Sequence, residues 1–383
     1  MTILREIFFI CCGCSLIYYG LTLITGWMFS RRSKTLPPVP PNPPGAALLK
    51  PLHGFDEELL ASLRSFMELD YPKKEYIFGI TTERDSALQA LNKLKQLYPA
   101  ARIRQTVGDE PSTNRKVGKL LRMLRPPPES EILVMSDADV RVDHDYLKRI
   151  VTEIETGENV GMVTCAYKGI APQGSLGARL EALFTNTDFT PTAILSYYLE
   201  PMRHAFASTV AIRQSTLREA GGLEAVKNSY GDDFALARRV AAQGYRIQLS
   251  SSIVTMVIEK MAFRDFWGRQ MRWARVDRKI RPISLARILI NGPFWALLLF
   301  LISGWGWLWL GMAIAATAAR VGMSAWTCRA VLRLPVRFSD LLLGLMKDLL
   351  MQAIWLSSLV GDTVEWRGRK LRLLPTGEME EVK

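Results

Sequence analysis

Ser136-Asp137-Ala138-Asp139 sets two carboxylates one residue apart, directly after the run Glu131-Ile-Leu-Val-Met135. That run reads as a buried strand, and Pro126-Pro-Pro128 keeps a preceding helix from running into it. Side chains emerging at the C-terminal end of such a strand sit where open α/β sheets bind ligands. Carboxylate oxygens are hard donors, suited to a Mg²⁺ or Mn²⁺ ion that also holds a diphosphate. A second pair, Asp232-Asp233, opens a helical pattern that Gly244 ends. The helix dipole alone favours acids there; the chemical reading is that one of them takes a proton from a hydroxyl. In Arg269-Gln-Met-Arg272-Trp273 the two arginines lie three apart, on one helical face. They suit a clamp on a departing diphosphate, with Trp273 as a wall for the acceptor. The same stretch also reads as a basic helix lying on a membrane surface. Asn114-Arg115-Lys116-Val117-Gly118-Lys119 offers further positive charge to a diphosphate, or simply starts a solvated basic helix.

The elements that must position these groups alternate in type. Ala46–Lys50 reads as a first strand. Asp56 is a plausible cap for a helix with Leu59, Leu60, Leu63, Phe66 and Met67 on its apolar face. Tyr76–Ile80 is a second strand, and Leu88, Leu91, Leu94 and Leu97 mark a second helix. The strand before Asp137 follows. This order predicts an α/β fold with a parallel sheet and crossover helices. Gly161–Cys165 and Thr209–Ile212 read as further strands, Leu176–Thr187 as helix, and Ala220-Gly-Gly-Leu223 as a turn. Thr185-Asn-Thr-Asp-Phe189 is polar and aromatic, suited to facing a substrate or to capping its helix.

The chain has 383 residues, is 49% hydrophobic and carries a formal net charge of +12, with mean hydropathy +0.07. One soluble domain plus a few membrane segments fits these values. The bases are spread out with no nucleic-acid motif, so they fit a basic face beside anionic lipid better than nucleic-acid binding. Five cysteines without metal or disulfide spacing point to a reducing compartment. Residues 1–34 read as a membrane anchor, uncharged from Ile7 to Ser30 and followed by Arg31-Arg32-Ser33-Lys34, which places its C-terminal end in the cytoplasm. A cleaved signal peptide is the alternative. Residues 35–45 form a proline-rich linker, 46–263 a cytosolic catalytic domain, and 264–283 the amphipathic Arg-Trp segment. Residues 284–326 read as a membrane hairpin with arms at about 285–303 and 305–325. In 327–383, Lys347-Asp348 interrupts an apolar stretch, which favours an interfacial or re-entrant helix before a basic cytosolic tail.

Together these stretches resemble the ceramide glucosyltransferase family, and the resemblance covers nearly the whole chain. It rests on Lys50-Pro-Leu-His-Gly54, Glu68-Leu-Asp-Tyr-Pro72, Asn114-Arg-Lys116, Ser136-Asp-Ala-Asp-Val-Arg-Val142, Ala220-Gly-Gly-Leu223, Asp232-Asp233, Arg269-x-x-Arg272-Trp273 and Trp366-Arg-Gly368. Thr185-Asn-Thr-Asp-Phe-Thr-Pro191 looks more like the bacterial hopanoid-associated branch than the animal enzymes.

The resemblance implies a nucleotide-diphospho-sugar transferase (GT-A-like) domain with N-terminal and C-terminal membrane helices, and inverting transfer from a UDP-sugar at the cytosolic face of a bacterial membrane. Asp137, with Asp139 beside it, matches the metal and nucleotide-sugar aspartate, Asp233 the base, and Arg269, Arg272 and Trp273 the closing motif. Lys50 and Lys116 match positions near the donor. The family's first nucleotide-contacting aspartate should follow Ile80; Thr82 stands there, with Glu83 and Asp85 as neighbouring candidates. The branch implies N-acetylglucosamine transfer onto a hopanoid such as bacteriohopanetetrol, with glucose onto ceramide as the rival. A processive polysaccharide synthase and a non-catalytic membrane scaffold are the remaining alternatives.

Overall fold

The computed structural model describes residues 2–34, 41–55, 57–366, 368–374 and 376–382. The first six residues of the expected linker, the Asp56 cap and Arg367 lie outside them. Helix α1 (Thr2–Arg32) is followed by β1 (Ala46–Pro51), α2 (Glu57–Met67), β2 (Lys74–Ile80), α3 (Ala87–Leu97), β3 (Ile103–Val107), α4 (Arg115–Met123) and β4 (Ile132–Ser136). Then come β5 (Val140–Arg141), α5 (Tyr146–Thr156), β6 (Val160–Ile170), α6 (Leu176–Phe184), α7 (Thr190–Leu199), β7 (Thr209–Arg213) and α8 (Gln214–Glu219). Helix α9 (Asp232–Ala242), β8 (Arg246–Val257) and α10 (Phe263–Ile280) complete the sheet-bearing half.

Eight strands form one sheet in the order β3-β2-β1-β4-β7-β6-β8-β5. The β3-β2-β1-β4 half is parallel, as the alternation predicts. The other half is mixed: β7 runs antiparallel between β4 and β6, and β5 antiparallel to β8. Strand β7 follows β6 through two helices, and this long connection lets it insert in the opposite sense. Apolar clusters form on the two faces of the sheet, one around Leu49, Leu133, Ile212 and Leu249, the other around Leu48, Phe66, Val134 and Tyr146.

The register places the site. Leu49 pairs with Met135, so β1 and β4 end side by side and present Lys50-Pro51 next to Ser136-Asp137. Gly118 in α4 lets that helix approach the preceding loop, because a Cβ there would lie 2.4 Å from the Glu110 carbonyl oxygen. In the expected turn, Gly221 and Gly222 adopt φ values of +92° and +69°, a region natural to glycine.

Between α6 and α7 the helix carries a π turn, Thr185–Phe189. Asn186 exchanges two hydrogen bonds with the backbone of Gly169, at 2.8 and 2.9 Å. Phe189 stacks on Tyr167 at 4.5 Å between ring centroids. The segment therefore does not cap a helix end; it is a joint in the middle of one helix.

The C-terminal half begins with a 3₁₀ turn, Pro282–Ile288, followed by α11 (Gly292–Ile302), α12 (Trp307–Trp326), a π turn at Thr327–Val331 and α13 (Phe338–Ser358). Ile3–Arg32, Trp307–Val331 and Phe338–Ser358 are each long and apolar enough to cross a membrane, and the 3₁₀ turn with α11 makes a fourth candidate, bent by 49°. The first arm of the expected hairpin is thus broken. Asn291 caps α11 by accepting a bond from the Phe294 amide, and Pro293 lacks the amide that would continue a helix through the break.

Lys347 and Asp348, whose charges argued against a span, do not face outward. Lys347 is fully buried and 2.6 Å from Asp348. Arg320 of α12 donates to both Asp348 oxygens, at 2.8 and 2.9 Å, and to Asp188 of the π turn at 2.9 Å. Lys347 also pairs with Asp188. Two cations and two anions thus neutralise one another where α12 and α13 meet the π turn. Removing one member of such a group typically costs about 3–5 kcal/mol. Arg320→Met should lower the unfolding midpoint of the detergent-solubilised protein markedly, and Arg320→Met with Asp348→Leu should recover part of the loss in the same thermal scan.

Candidate active site

A cleft of about 640 Å³ opens at the C-terminal ends of β1 and β4. Asp137, Asp139, Asp232, Asp233, Lys116, Arg269, Arg272 and Trp273 all line it. The fold thus gathers into one cleft residues that lie up to 157 positions apart.

The Asp137–Asp139 turn is fixed by backbone contacts from several elements. The Asp137 amide donates to the Ser208 carbonyl at 3.1 Å, and the Val257 amide donates to the Asp139 carbonyl at 2.9 Å. Lys50 donates to the carbonyls of Asp137 at 2.7 Å and Val140 at 3.3 Å. These bonds leave both carboxylates to face the cleft. Burial, then the neighbouring Asp137, push the Asp139 carboxyl up to about 6, against the pull of Arg269 and Lys50. A crowded, desolvated pair of hard oxygen donors is the set a divalent cation would relieve. Among the described residues no group of three or more His, Cys, Asp or Glu side chains is arranged to hold a metal ion. Asp137 and Asp139 would supply two hard oxygen donors to such a cation.

Helix α4 aims Lys116 at this turn. Asn114 caps the helix by accepting from the Lys116 and Val117 amides. Its Nδ2 reaches across to Asp232 Oδ1 at 3.0 Å and the Ser229 carbonyl at 3.1 Å. Lys116 Nζ lies 2.6 Å from Asp137 Oδ1 and donates to the Ala207 carbonyl at 3.0 Å. Burial works against the Lys116 ammonium, yet Asp137, Asp232 and Asp233 hold its pKa above the ordinary lysine value. Asn114 thus links the basic helix to the second acidic pair, a role that its place at the start of the basic stretch did not reveal.

Asp233 sits in the first turn of α9, where Oδ1 accepts from the Phe234 amide at 2.8 Å. Burial and then Asp232 push its carboxyl up to about 7, with Lys116 pulling the other way. A carboxylate near neutrality is suited to exchange a proton at physiological pH. Opposite it, α10 presents Arg269, Arg272 and Trp273. Glu181 holds Arg269 at 3.1 Å and is itself fixed by Gln270 at 2.7 Å.

Four expected donor contacts fall elsewhere. Lys50 is fully buried, does not line the cleft, and lies 3.8 Å from the Phe66 ring centroid. Burial pulls its pKa down to about 7 against Asp139 and Asp137. It is a prop beneath the turn. Thr82 and Glu83 are exposed and off the cleft. Asp85 accepts from the Gly54 amide at 2.9 Å and the Ala87 amide at 3.0 Å, and meets His53 at 3.1 Å. Its carboxylate shapes the 53–54 loop, which does line the cleft.

The sequence profile of glycosyl transferase family 21 matches residues 7–379. The chain belongs to that family. Ceramide glucosyltransferase 3 of Caenorhabditis elegans is 23% identical over 255 residues, 65% of this chain and 53% of that protein. Ceramide glucosyltransferase of Komagataella phaffii is 31% identical over 156 residues, 39% of this chain and 30% of that protein. The family-21 chain spans about half the length, or less, of the curated relatives it matches. Among solved structures, the mannosyltransferase PcManGT of Pyrobaculum calidifontis, in complex with GDP-Man and Mn²⁺, aligns with TM-score 0.53 and 19% identity. The alignment covers 93% of this chain and 99% of that one, so the likeness in fold takes in the apolar helices as well as the GT-A-like α/β domain.

The prop role of Lys50 has a measurable signature. Lys50→Met keeps the length of the side chain and leaves two carbonyls without their donor, at about 1–3 kcal/mol for each buried group. Thermal unfolding should shift down and UDP affinity should weaken together. A variant of unchanged stability that has lost UDP affinity would instead make Lys50 a direct donor contact.

Proposed function

We propose that this family-21 protein is a membrane-anchored inverting glycosyltransferase that moves a sugar from a UDP-sugar to a lipid hydroxyl. The observation that carries the reading is the convergence of the Asp137/Asp139 pair, Lys116, Asp233 and the Arg269/Arg272 clamp on one cleft. In this reading Asp137 and Asp139 hold a divalent cation that neutralises diphosphate charge when it is bound with the donor. Lys116, Arg269 and Arg272 bring fixed positive charge toward the leaving diphosphate. Asp233 accepts the proton of the acceptor hydroxyl as that oxygen attacks the anomeric carbon from the face opposite the diphosphate. Trp273, more than a third exposed, walls the acceptor side of the cleft. The long apolar helices keep the cleft near lipid, and the basic residues at the C-terminal end of α1 favour a cytosolic orientation.

The names of the matched relatives favour ceramide as acceptor and glucose as the sugar. The N-acetylglucosamine–hopanoid pairing rests on Thr185–Pro191 alone. That stretch packs against Gly169, Tyr167 and the charged group of α12 and α13 and does not line the cleft of Asp137 and Asp233, so it supports this pairing as a mark of ancestry.

The deciding assay offers UDP-glucose, UDP-galactose and UDP-N-acetylglucosamine with ceramide or bacteriohopanetetrol, with and without EDTA, and reads products by lipid mass spectrometry. An EDTA-sensitive hexosylceramide supports the favoured pair; an N-acetylhexosaminyl hopanoid moves the acceptor to the other branch. No adduct and no UDP binding would overturn the transferase reading.

Asp233→Asn should reduce turnover by about 10²–10⁴-fold, the usual contribution of a positioned base. The wild type adds a pH test. Asp233 accepts a proton only as carboxylate, and its pKa is raised to about 7. Activity should therefore rise with pH, by about tenfold in kcat/KM between pH 6 and 8, and then level off. A flat profile over that interval would remove Asp233 from the proton transfer.

A further inference from the structure

The tail after α13 reads from its sequence as a basic cytosolic segment, with no fold assigned to it. It folds into a three-stranded antiparallel sheet of β9 (Thr363–Trp366), β10 (Arg369–Leu373) and β11 (Met379–Glu381). Val364, Leu371, Leu373 and Met379 bury one face of it against Val276 of α10. Arg275 donates to the Thr363 carbonyl and Arg278 to the carbonyls of Leu359 and Gly361.

The sheet also grips the loops that carry the site. The Tyr230 amide donates to the Gly377 carbonyl at 3.3 Å, and the Met379 amide donates to the Asn228 carbonyl at 3.1 Å, just before Asp232-Asp233. Arg369 donates to the Thr113 carbonyl at 3.0 Å, beside the Asn114 that bonds Asp232. Strand β9 ends at Trp366, which lines the cleft itself. The Arg272 guanidinium carbon lies 5.1 Å from the Trp273 ring centroid and 5.5 Å from that of Trp366. Both distances are within the about 6 Å at which an aromatic face attracts a cation.

We propose that Trp366 is a positioning residue that holds Arg272, with Trp273, toward the leaving nucleoside diphosphate, which makes the tail sheet part of the active site. This rests on the transferase reading above. An arginine side chain on a helix face has many rotamers, and selecting one before the substrate arrives lowers the cost of organising charge in the transition state. Two aromatic faces within cation–π range of the guanidinium narrow that choice.

The bland role for Trp366 is to plug the small core of the tail sheet. The two roles separate in a cycle of full-length proteins: wild type, Trp366→Leu, Arg272→Ala and the double variant, with Trp366→Phe as the conservative control. Trp366→Leu should lower kcat by about 3- to 30-fold, the span a cation–π contact supports, with a smaller change in KM for the UDP-sugar. Trp366→Phe should recover most of that loss. In the Arg272→Ala background Trp366→Leu should cost little more. Unchanged kcat in Trp366→Leu, equal losses in the Leu and Phe variants, or additive losses in the double variant would each overturn the proposal. If Trp366→Leu does not fold in a thermal scan, Trp366→Phe takes its place in the cycle, with a smaller loss expected and the same test of additivity. UDP affinity, read by calorimetry on the same proteins, separates this proposal from the reading beneath it. A wild type that binds UDP but transfers no sugar overturns the transferase reading, and the cycle is then read in UDP affinity; a wild type that does neither overturns both.

Discussion

Asp137 and Asp139 repel each other in a half-buried turn, and much of the sheet-bearing half is arranged so that both can stay there. Water would screen such a pair; a partly desolvated cleft does not. Three cations answer from three different elements: Lys50 from β1 beneath the turn, Lys116 from α4 beside it, and Arg269 from α10 across the cleft. Each is fixed in turn, Lys50 by burial against Phe66, Lys116 by the Asn114 cap, Arg269 by Glu181. The electrostatic demand of two side chains thus sets the placement of a strand end, a helix start and a helix face.

The chemistry was more legible in the sequence than the scaffold. Asp137, Asp139, Asp233 and the Arg-Trp motif could be picked out because their spacing is local, and the first strands because apolar runs alternate with helical periods. Strand β8 escaped because Ser250-Ser-Ser252 breaks its apolar run; Ser250 and Ser251 are buried all the same, and the Ser251 amide bonds Glu153. Strand β3 is an edge with no fully buried residue, so its pattern carries little hydrophobic signal. Helix α5 was readable, from Tyr146, Leu147, Ile150, Val151 and Ile154 at helical spacing, and was passed over. The roles of Lys50 and Asp85 were not readable, because a residue type does not say whether its side chain points into a cleft or back into the wall.

The contrast between Asp85 and Asp137 makes the point physically. Both follow parallel strands at the same end of the sheet. Asp85 spends Oδ1 on the Gly54 and Ala87 amides and turns Oδ2 to His53, and so shapes a loop. The backbone around Asp137 is satisfied by Ser208 and Lys50, and its carboxylate turns into the cleft, where Lys116 meets it at 2.6 Å. Which backbone groups already have partners decides which carboxylates remain for a ligand.

The charged group shared by Asp188, Arg320, Lys347 and Asp348 also bears on how the protein is made. In the proposed membrane setting α13 is a poor insertion signal by itself, since each charge near its centre costs about 2.5–3.5 kcal/mol on insertion scales. Its partners lie on α12 and in the π turn of the catalytic domain, both synthesised before it. When α13 leaves the ribosome, the counter-charges it needs are already in place, provided the catalytic domain has folded. Completion of the membrane half then depends on completion of the soluble half, and a chain whose catalytic domain misfolds would expose an uncompensated membrane helix to quality control.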